Sequence, residues 1–575
     1  MKQLLSTVAI GALALAASAG VSRADVQGIR HVLLISIDGM HELDFMNCVN
    51  DATGVNGGKS YCPNLAALKS TGVEYLNAST SKPSDSFPGL MAILSGATPR
   101  TMGVYYDVAY DRFLAPPAAT TGNGVLAGTC TPGRANGTRT EYEEGIDLDQ
   151  SKLNGGAPQG ADGGLSSIDP QKLIRDPANG CAPVYPWNFV RTNTIFGVIH
   201  QAGGYTAWSD KHPAYASVSG PAPVNAPNLN DFYSPEINSI PDPTAFDKVY
   251  LPDRTSCAGL PDKNALTASD DYTTSFQNIK CYDTLKVNAI LNEIEGKTHD
   301  GLRRAPVPNL FGMNFQAVSV GQKLIQKSLN PVVKGGYLGN FGTPTPVLLG
   351  EIQFVDASIG KMVAALKQTG DYDSTLVVIT AKHGQSPVDS SRYQGVGFPT
   401  GSPITTSPAT ILASCLPDSE VNQIGPTEDD VSLLWLSGAC TAGQAVGLLE
   451  SMSPSSNNIA GISQIFSGPG VAQLFDAPGL PPQNDPRTPD IVVTPNVGVT
   501  YSGSSKKQAE HGGFSHDDTN VMMLLSNPSL KPSVVSIPVA TAQVAPTVLQ
   551  ALGLDPNSLD AVKLEGTEVL PRFSK

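Results

Sequence analysis

Short, almost uninterrupted apolar runs recur along the chain and predict buried β-strands. They are HVLLISI at 31–37, LVVIT at 376–380, IVVT at 491–494 and VMMLLS at 521–526. Continuous hydrophobicity without alternation is typical of parallel strands that are covered on both faces. Two longer segments, 351–368 and 540–552, carry apolar residues at a spacing of three or four and predict helices.

The alternation of strand and helix patterns predicts an α/β fold, doubly wound, with a mostly parallel sheet and helices on both faces. We expect one such domain over residues 25–575. Stretches rich in Gly and Pro interrupt it near 113–190, 213–300 and 395–485, and they predict loop-rich insertions. The 57 glycines and 46 prolines among 575 residues, with only 15% charged residues, favour a large protein with long ordered loops.

The first 24 residues have the pattern of a secretory signal peptide. Lys2 precedes an apolar stretch from Val8 to Ala19, and Ser22-Arg23-Ala24 resembles a cleavage site. The stretch is too short for a stable transmembrane helix, and we identify no later segment of sufficient apolar length. We therefore expect a soluble protein that is secreted or exported to a periplasm.

The overall charge restricts the class of ligand. The chain has 37 basic and 51 acidic residues, a formal net charge of −14. Nucleic acid binding relies on basic residues that release counterions from phosphates, so this chain is a poor candidate for it. A small anionic substrate would have to meet a local positive site instead. The sequence does not predict an oligomeric state.

Eight cysteines, an even number, fit an oxidising compartment. None forms a CxxC pair, which makes a zinc ribbon or a redox site a weak interpretation. Connectivity does not follow from sequence alone, but each neighbouring pair would close a loop-rich stretch. We therefore expect four bonds between sequence neighbours: Cys48–Cys62, Cys130–Cys181, Cys257–Cys281 and Cys415–Cys440.

Candidate chemistry gathers at the predicted strand ends. Asp38 follows the first apolar run in ISIDGM, and Lys382 and His383 follow the second in TAKHGQ. The segment AEHGGFSHDD places His511 shortly before the last run. Because open parallel sheets place their sites at the carboxyl ends of strands, these residues are candidates for one site.

Ser86 stands at the start of another predicted element. It precedes Phe87-Pro88 in PSDSFPGL, and residues 89–95 predict a helix. Free N–H groups and the helix dipole favour an anion at such a position. Each candidate also has a plainer explanation, with Ser86 or Asp38 as a cap and the histidines as hydrogen-bonded core residues. Their occurrence together favours a shared catalytic site.

The motifs occur in the order ISIDGM, PSDSFPGLMAILSGATPRTMGV, TAKHGQ, EHGGF and VATAQVAPTVLQALGL. In this order they resemble the alkaline phosphatase superfamily, and within it the type I phosphodiesterase/nucleotide pyrophosphatase group. The resemblance covers roughly 28–112, 190–212, 305–392 and 488–571. It implies a doubly wound α/β core, two metal ions that are usually zinc, and a Ser or Thr that attacks phosphorus to form a covalent intermediate.

The resemblance also implies roles for individual residues. Ser86 matches the nucleophile. Asp38 and His383, together with Ser86, match ligands of the metal on the nucleophile side. His511 matches a ligand of the other metal. A divalent cation would make the hydroxyl nucleophilic at neutral pH and neutralise charge on the phosphoryl oxygens.

The chain departs from the family pattern at three places. The Asp-His pair is Lys382-His383, and the segment that normally holds Asp-x-x-x-His is GMNFQAVSVGQK, 312–323, without a carboxylate or a histidine. The Asn expected 21 residues after the nucleophile, which helps to hold a phosphoryl oxygen, is Asp107. Three metal ligands are therefore missing, so we expect one divalent ion, zinc, rather than two.

A lysine beside the nucleophile could supply positive charge in place of a metal, or act as a base. We therefore place Lys382 and Asp107 with Ser86 among the candidate catalytic residues. A further cluster, Asp210-Lys211-His212 in SDKHPAY, follows a predicted strand. These residues could replace missing ligands or contact substrate, but we favour a turn with ordinary surface charges.

Three functional hypotheses follow. The first is an exported, metal-dependent hydrolase of phosphate esters, above all phosphodiesters, that works through a covalent Ser86 intermediate. The second is a single-cation enzyme for sulfate or phosphonate esters, like sulfatase-like relatives in the same superfamily. The third is a non-catalytic binding protein on a decayed hydrolase scaffold. The sequence does not identify the substrate, because specificity would lie in the insertions.

Overall fold

A computed structural model describes residues 28–142, 162–238, 257, 272–339, 342–417, 426–451, 459–475 and 485–573. The predicted signal peptide, residues 1–24, lies outside these ranges, and so do parts of the predicted insertions. Within them, no helix combines the length and the apolar character that crossing a membrane requires.

The described residues form two larger sheets with twelve strands between them. In chain order the strands are β1 His31–Ile37, β2 Gly72–Tyr75, β3 Thr206–Ser209, β4 Asp231–Phe232, β5 Leu310–Phe315, β6 Thr375–Thr380, β7 Thr427–Glu428, β8 Ser432–Leu434, β9 Ile462–Ser467, β10 Ile491–Pro495, β11 Leu524–Ser526 and β12 Ser533–Val535. The central sheet has the order β12-β2-β11-β6-β1-β5-β3-β4, and the smaller one has the order β7-β8-β10-β9.

The central sheet is mostly parallel, as predicted. Strand β1 lies between β5 and β6 and is parallel to both, so that Val32 pairs with Leu310 on one side and with Leu376 on the other. Strand β3 is parallel to β5, and β4 is parallel to β3. Strands β1, β3, β5 and β6 consequently end at the same edge of the sheet.

Two of the predicted strands differ from the structure. The run at 491–494 belongs to β10 of the smaller sheet, where it is antiparallel to both neighbours. The run at 521–526 forms a strand only over its last three residues, and β11 is antiparallel to β6 and β2. Strand β10 is apolar throughout because Ile491 and Val493 pack into one cluster and Val492 into another. Burial on both faces therefore does not require a parallel sheet.

The described α-helices of six or more residues are α1 Glu42–Asn50, α2 Pro63–Lys69, α3 Ser86–Ser95, α4 Ile195–Gln201, α5 Phe276–Ile294, α6 Ala317–Lys323, α7 Pro346–Thr369, α8 Ala442–Ser451, α9 Pro469–Leu474, α10 Val544–Ala551 and α11 Asp560–Glu565. Four-residue helices span Pro99–Met102, Pro186–Phe189, Pro408–Ile411 and His516–Thr519. Helix α7 contains the predicted helix 351–368. It begins after Thr345, whose hydroxyl accepts the Leu348 N–H, and it ends at Gly370 in the left-handed conformation.

Helices cover both faces of the central sheet, as predicted. Along β1, Val32 and Leu34 face a core that includes residues of α3 and α10. The alternate residues Leu33 and Ile35 face a second core that includes residues of α5 and α7. The predicted helix at 540–552 corresponds to α10.

Short two-stranded pairs complete the strands of the described residues. They are Ala78–Ser79 with Val539–Ala540, Val108–Asp111 with Thr138–Glu141, Arg175–Asp176 with Ala182–Pro183, Ile325–Gln326 with Val333–Lys334, Tyr337–Leu338 with Thr343–Pro344, and Gln394–Gly395 with Val499–Thr500.

The four predicted disulfides are present in the structure. Their Cα atoms are 5.3 Å apart in Cys48–Cys62, 6.0 Å in Cys130–Cys181, 5.8 Å in Cys257–Cys281 and 5.1 Å in Cys415–Cys440. These separations are in the usual range for disulfides. The prediction of bonds between sequence neighbours is confirmed.

Glu42 in α1 provides a pH-dependent contribution to stability. Burial, with Glu74 nearby, raises its pKa from 4.5 to about 9, despite the opposing effect of Lys69. The unfolded chain releases this proton above pH 4.5, whereas the folded chain keeps it, so the stability contribution is full below pH 4.5 and is lost as the pH rises through 9. We expect Glu42→Gln to raise the free energy of unfolding by roughly 2 kcal/mol at pH 8 and to change it little at pH 4.

Denaturant unfolding at both pH values measures this effect. Glu295→Gln is a suitable control, because the Glu295 side chain is 52% exposed. An equal change for Glu42→Gln at pH 4 and pH 8 would contradict the prediction.

Candidate active site

The shared edge of β1, β3, β5 and β6 carries a cluster of polar side chains. Asp38 follows β1, Asp210-Lys211 follows β3, Gln316 follows β5, and Lys382-His383 lies just beyond β6. All of these side chains are buried or nearly so. The parallel arrangement brings them together, since the carboxyl ends of parallel strands meet at one edge.

Ser86 reaches this cluster from α3. It is the first residue of the helix, and Asp85 occupies the N-cap position, so Ser86 is not the cap. Its Oγ lies 3.0 Å from Lys211 Nζ and 3.2 Å from His383 Nε2. The Ser86 hydroxyl therefore has a cationic donor and an imidazole nitrogen as direct neighbours.

Helix α3 approaches the end of β6 unusually closely at Gly89. A Cβ atom on Gly89 would lie 2.1 Å from the carbonyl oxygen of Lys382. The same carbonyl accepts a hydrogen bond from Thr80 Oγ1. Only glycine, which has no Cβ atom, lets α3 lie this close to the Lys382 carbonyl group. The close approach places Ser86 beside His383.

We expect Gly89→Ala to displace α3 from the Lys382-His383 turn. The predicted cost is about 1–3 kcal/mol of stability, as for other overpacked sites, with hydrolytic activity reduced by about 100-fold or more because Ser86 moves from its partners. Thermal unfolding and turnover measure the two effects. Gly350→Ala in α7 is a matched control, since no heavy atom lies within 4 Å of its added Cβ. Similar behaviour of the two variants would contradict the close-approach argument.

Asp38 is held by two amides from β5 and the turn after it. Asn314 Nδ2 donates to Oδ1 at 2.7 Å, and Gln316 Nε2 donates to Oδ2 at 2.7 Å. His383 Nε2 lies 3.6 Å from Asp38 Oδ2. The segment in which the family pattern has metal ligands thus orients the Asp38 carboxylate here.

Charge keeps Asp38 ionised despite its burial. Burial by itself raises the pKa of this carboxyl group, but Lys382, His383 and Lys211 together lower it well below its ordinary value. The site therefore contains a carboxylate stabilised by nearby cationic groups.

Lys382 is fully buried and bonds Asp210. Its Nζ lies 2.9 Å and 3.1 Å from the two carboxylate oxygens, and it sits 4.1 Å from the centre of the Tyr215 ring. Its charge reaches Asp38, whose pKa it lowers. The contacts described for its ammonium group are with Asp210 and Tyr215 rather than with Ser86.

The interpretation of 210–212 as a surface turn is wrong. Asp210, Lys211 and His212 are buried, with Lys211 only 9% exposed. Lys211 is the cationic donor to Ser86, and Asp210 is the partner of Lys382. One signal in the sequence could have identified them: like Asp38 and Lys382, they follow an apolar strand directly.

His511 lies beside His383. The ring centroids are 4.1 Å apart, and His511 Nδ1 is 3.4 Å from Asp85 Oδ1. The pKa of His511 is well below its ordinary value. Burial is the largest cause, and the positive groups around the ring lower the pKa further. His511 thus adds a neutral imidazole to the site that Ser86, Asp38 and His383 share.

A cavity of about 260 Å³ opens beside these residues. Lysines 211, 323, 506 and 507 line it together with three acidic residues, Asp107, Asp429 and Glu510. The backbone N–H of Asp107 donates to Asp85 Oδ2 at 2.9 Å, which fixes the segment after α3 against the helix start. Four lysines, one of them the Lys211 that contacts Ser86, thus outnumber the three acidic residues of this cavity in an otherwise acidic protein.

The residues fit one divalent ion on the nucleophile side. Ser86 Oγ and Asp38 Oδ2 lie 3.2 Å and 3.6 Å from His383 Nε2. Ligands at ~2 Å from a common ion have spacings of about this size. A second ion lacks ligands, because His511 stands without the other two, which the segment 312–323 does not supply. Lys382 removes one further ligand, from the ion beside Ser86. Among the described residues, no three His, Cys, Asp or Glu side chains are grouped so that they could hold a metal by themselves, so Ser86 would have to be the third ligand beside Asp38 and His383.

A family model described as type I phosphodiesterase/nucleotide pyrophosphatase matches residues 32–124 and 335–518. No curated protein matches the chain. Among solved structures, murine ectonucleotide pyrophosphatase/phosphodiesterase 5 is 12% identical with a TM-score of 0.49, over 92% of this chain and 96% of that one. Phosphonoacetate hydrolase from Sinorhizobium meliloti 1021, in complex with phosphonoformate, is 14% identical with a TM-score of 0.49 and the same coverage.

The segments matched by the family model contain Asp38, Ser86, His383 and His511, which the structure brings to one edge of a mostly parallel α/β sheet. The family is generally metal-dependent and acts on phosphate ester bonds. Over residues 32–124 and 335–518, the segments that hold these four side chains, the chain therefore matches the type I phosphodiesterase/nucleotide pyrophosphatase family.

Proposed function

We propose that this protein is an exported hydrolase of phosphate esters, above all phosphodiesters, and that it works through a covalent intermediate on Ser86. The observation that carries the proposal is the placement of Ser86 Oγ at the start of α3, 3.0 Å from Lys211 Nζ and 3.2 Å from His383 Nε2. The four disulfides support export, since such bonds persist in oxidising compartments.

The arrangement supports attack by Ser86 on phosphorus. A bond forms between Ser86 Oγ and phosphorus while the bond from phosphorus to the leaving alcohol breaks, and the serine proton leaves on that alcohol. Water then cleaves the new bond and restores the hydroxyl. The backbone N–H groups at the start of α3, together with the positive end of the helix dipole, stabilise negative charge on the phosphoryl oxygens during both steps.

Asp38, His383 and Ser86 would hold one divalent ion, for which we propose zinc. Such an ion supplies positive charge that favours the ionised serine and neutralises phosphoryl oxygen. His383 is oriented for this role, because its Nδ1 donates to the Gly384 carbonyl at 2.7 Å and leaves the Nε2 lone pair facing Ser86 and Asp38.

Asp107 favours a diester over a monoester in this proposal. It replaces an asparagine of the family pattern, and its carboxylate lines the cavity beside the nucleophile. A phosphomonoester carries about two negative charges at neutral pH, and a diester carries one. Repulsion by a carboxylate therefore opposes the monoester more strongly.

A panel of aryl esters tests the function. We expect turnover of bis(4-nitrophenyl) phosphate to exceed that of 4-nitrophenyl phosphate, 4-nitrophenyl phenylphosphonate and 4-nitrophenyl sulfate. Acid quench during turnover, followed by mass spectrometry, should find the aryl phosphate on the peptide that contains Ser86. Preference for the sulfate or the phosphonate would favour the second hypothesis, and binding without turnover of any ester would favour the third.

A further inference from the structure

Lys211 lies outside the segments 32–124 and 335–518 that the family model matches. Its Nζ is 3.0 Å from Ser86 Oγ, within hydrogen-bond distance of the atom that would attack phosphorus. The residue is 9% exposed and lies two positions beyond the end of β3, in the turn at the edge of the sheet. A cation is thus built into the site at the nucleophile.

The surroundings of Lys211 are those in which a second metal ion would be expected. Lys211, Gln316 and His511 line the same cavity. His511 matches a ligand of the second metal, and Gln316 lies in the segment that carries the two other ligands in the family pattern. Gln316 instead donates its amide to Asp38, so one imidazole remains for a second ion, which needs about four ligands.

Lys382 does not fill this role. It is bound to both oxygens of Asp210, 2.9 Å and 3.1 Å from its Nζ. Asp210 also accepts the Lys211 backbone N–H at 2.8 Å. The Lys382–Asp210 pair therefore positions the turn that carries Lys211, and the Lys211 ammonium is the group directed at Ser86.

We propose that the Lys211 ammonium replaces the second metal ion of two-metal relatives in the Ser86 reaction. It stays protonated throughout, donates to the Ser86 oxygen as that oxygen loses its proton, and neutralises the phosphoryl oxygen that faces the cavity. No bond to Lys211 forms or breaks. This inference rests on the proposed function, since it assigns a catalytic residue to the same site.

Three substitutions at position 211 test the proposal with bis(4-nitrophenyl) phosphate as the substrate. We expect Lys211→Met to lower kcat by about 10²–10³-fold, as for the loss of one preorganised donor to a developing oxyanion, with a smaller effect on KM. Lys211→Arg keeps the charge and should retain more activity than Lys211→Met. Added ethylammonium should partly restore Lys211→Ala, which a merely structural role would not allow.

Two further measurements complete the test. Lys297→Met is a control outside the cavity, because the Lys297 side chain is 42% exposed and pairs with Glu295 at 2.8 Å; its kcat should change by less than about threefold. Elemental analysis of the zinc-saturated wild type should find no more than one ion per chain at this site. If Lys211→Met does not fold, the activity of Lys211→Arg and the number of zinc ions per wild-type chain still test whether the Lys211 ammonium replaces the second metal ion.

Undiminished turnover by Lys211→Met, or two zinc ions per wild-type chain, would overturn the proposal while leaving hydrolysis through Ser86 intact. Equal turnover by the wild type and a Ser86→Ala variant would instead overturn the proposed function, and this inference with it. The two failures are therefore distinguishable in the same set of proteins.

Discussion

Replacing Ser86 by alanine is expected to lower phosphodiester turnover by at least about 10⁴-fold, with little change in the thermal unfolding temperature. The effect should be this large because the covalent intermediate cannot form without the hydroxyl. The loss should appear in kcat, because the cavity and its lysines stay in place. Steady-state kinetics and the mass of the quenched protein, which should no longer carry an aryl phosphate, measure the result.

Two variants accompany Ser86→Ala. Ser86→Thr keeps a hydroxyl at the position where the family pattern allows either residue, and it should retain measurable turnover. Ser95→Ala removes a hydroxyl from the other end of α3, where Oγ donates to the Met91 carbonyl, and it should behave like the wild type. Turnover by Ser86→Ala equal to that of Ser95→Ala would show that the nucleophile is assigned wrongly.

Lys382→Met is expected to destabilise the protein by about 3–5 kcal/mol as well as to reduce activity. The sequence suggested a lysine beside the nucleophile. In the structure, Lys382 and Asp210 are both fully buried and bonded to each other. Removal of the ammonium group leaves the Asp210 carboxylate without its buried counter-ion, and the cost of that desolvated charge accounts for the loss.

A double-mutant cycle separates this pair from general damage to the core. Asp210→Asn combined with Lys382→Met removes both charges, and we expect it to be more stable than Lys382→Met alone. Lys382→Asp would place a second carboxylate beside Asp210 in a buried space and should not fold at neutral pH. Denaturant unfolding measures each variant. Additive losses across the cycle would show that the two side chains do not interact.

The arrangement of the candidate site was only partly predictable from local sequence. Asp38, Lys382 and His383 each follow a buried apolar strand, and parallel strands bring such residues to one edge. That reasoning also applied to Lys211, but its charged neighbours resembled a surface turn. Burial of a charged turn depends on what packs over it, here Ser86 of α3 and the Lys382 side chain, and these are distant in sequence.

The sequence by itself predicted the main strands and helices and the resemblance to type I phosphodiesterases, because these depend on apolar periodicity and motif order. The four disulfides between sequence neighbours were an expectation that the structure confirmed. The tertiary structure decided that β10 lies in a second sheet, that β11 is antiparallel, and that Lys382 pairs with Asp210 while Lys211 contacts Ser86. The physical reason is the same in each case. An apolar run shows that a strand will be buried, but it does not show which strand will lie next to it. In the same way, a buried charged side chain needs a partner of opposite charge, but the sequence does not show which residue that partner is.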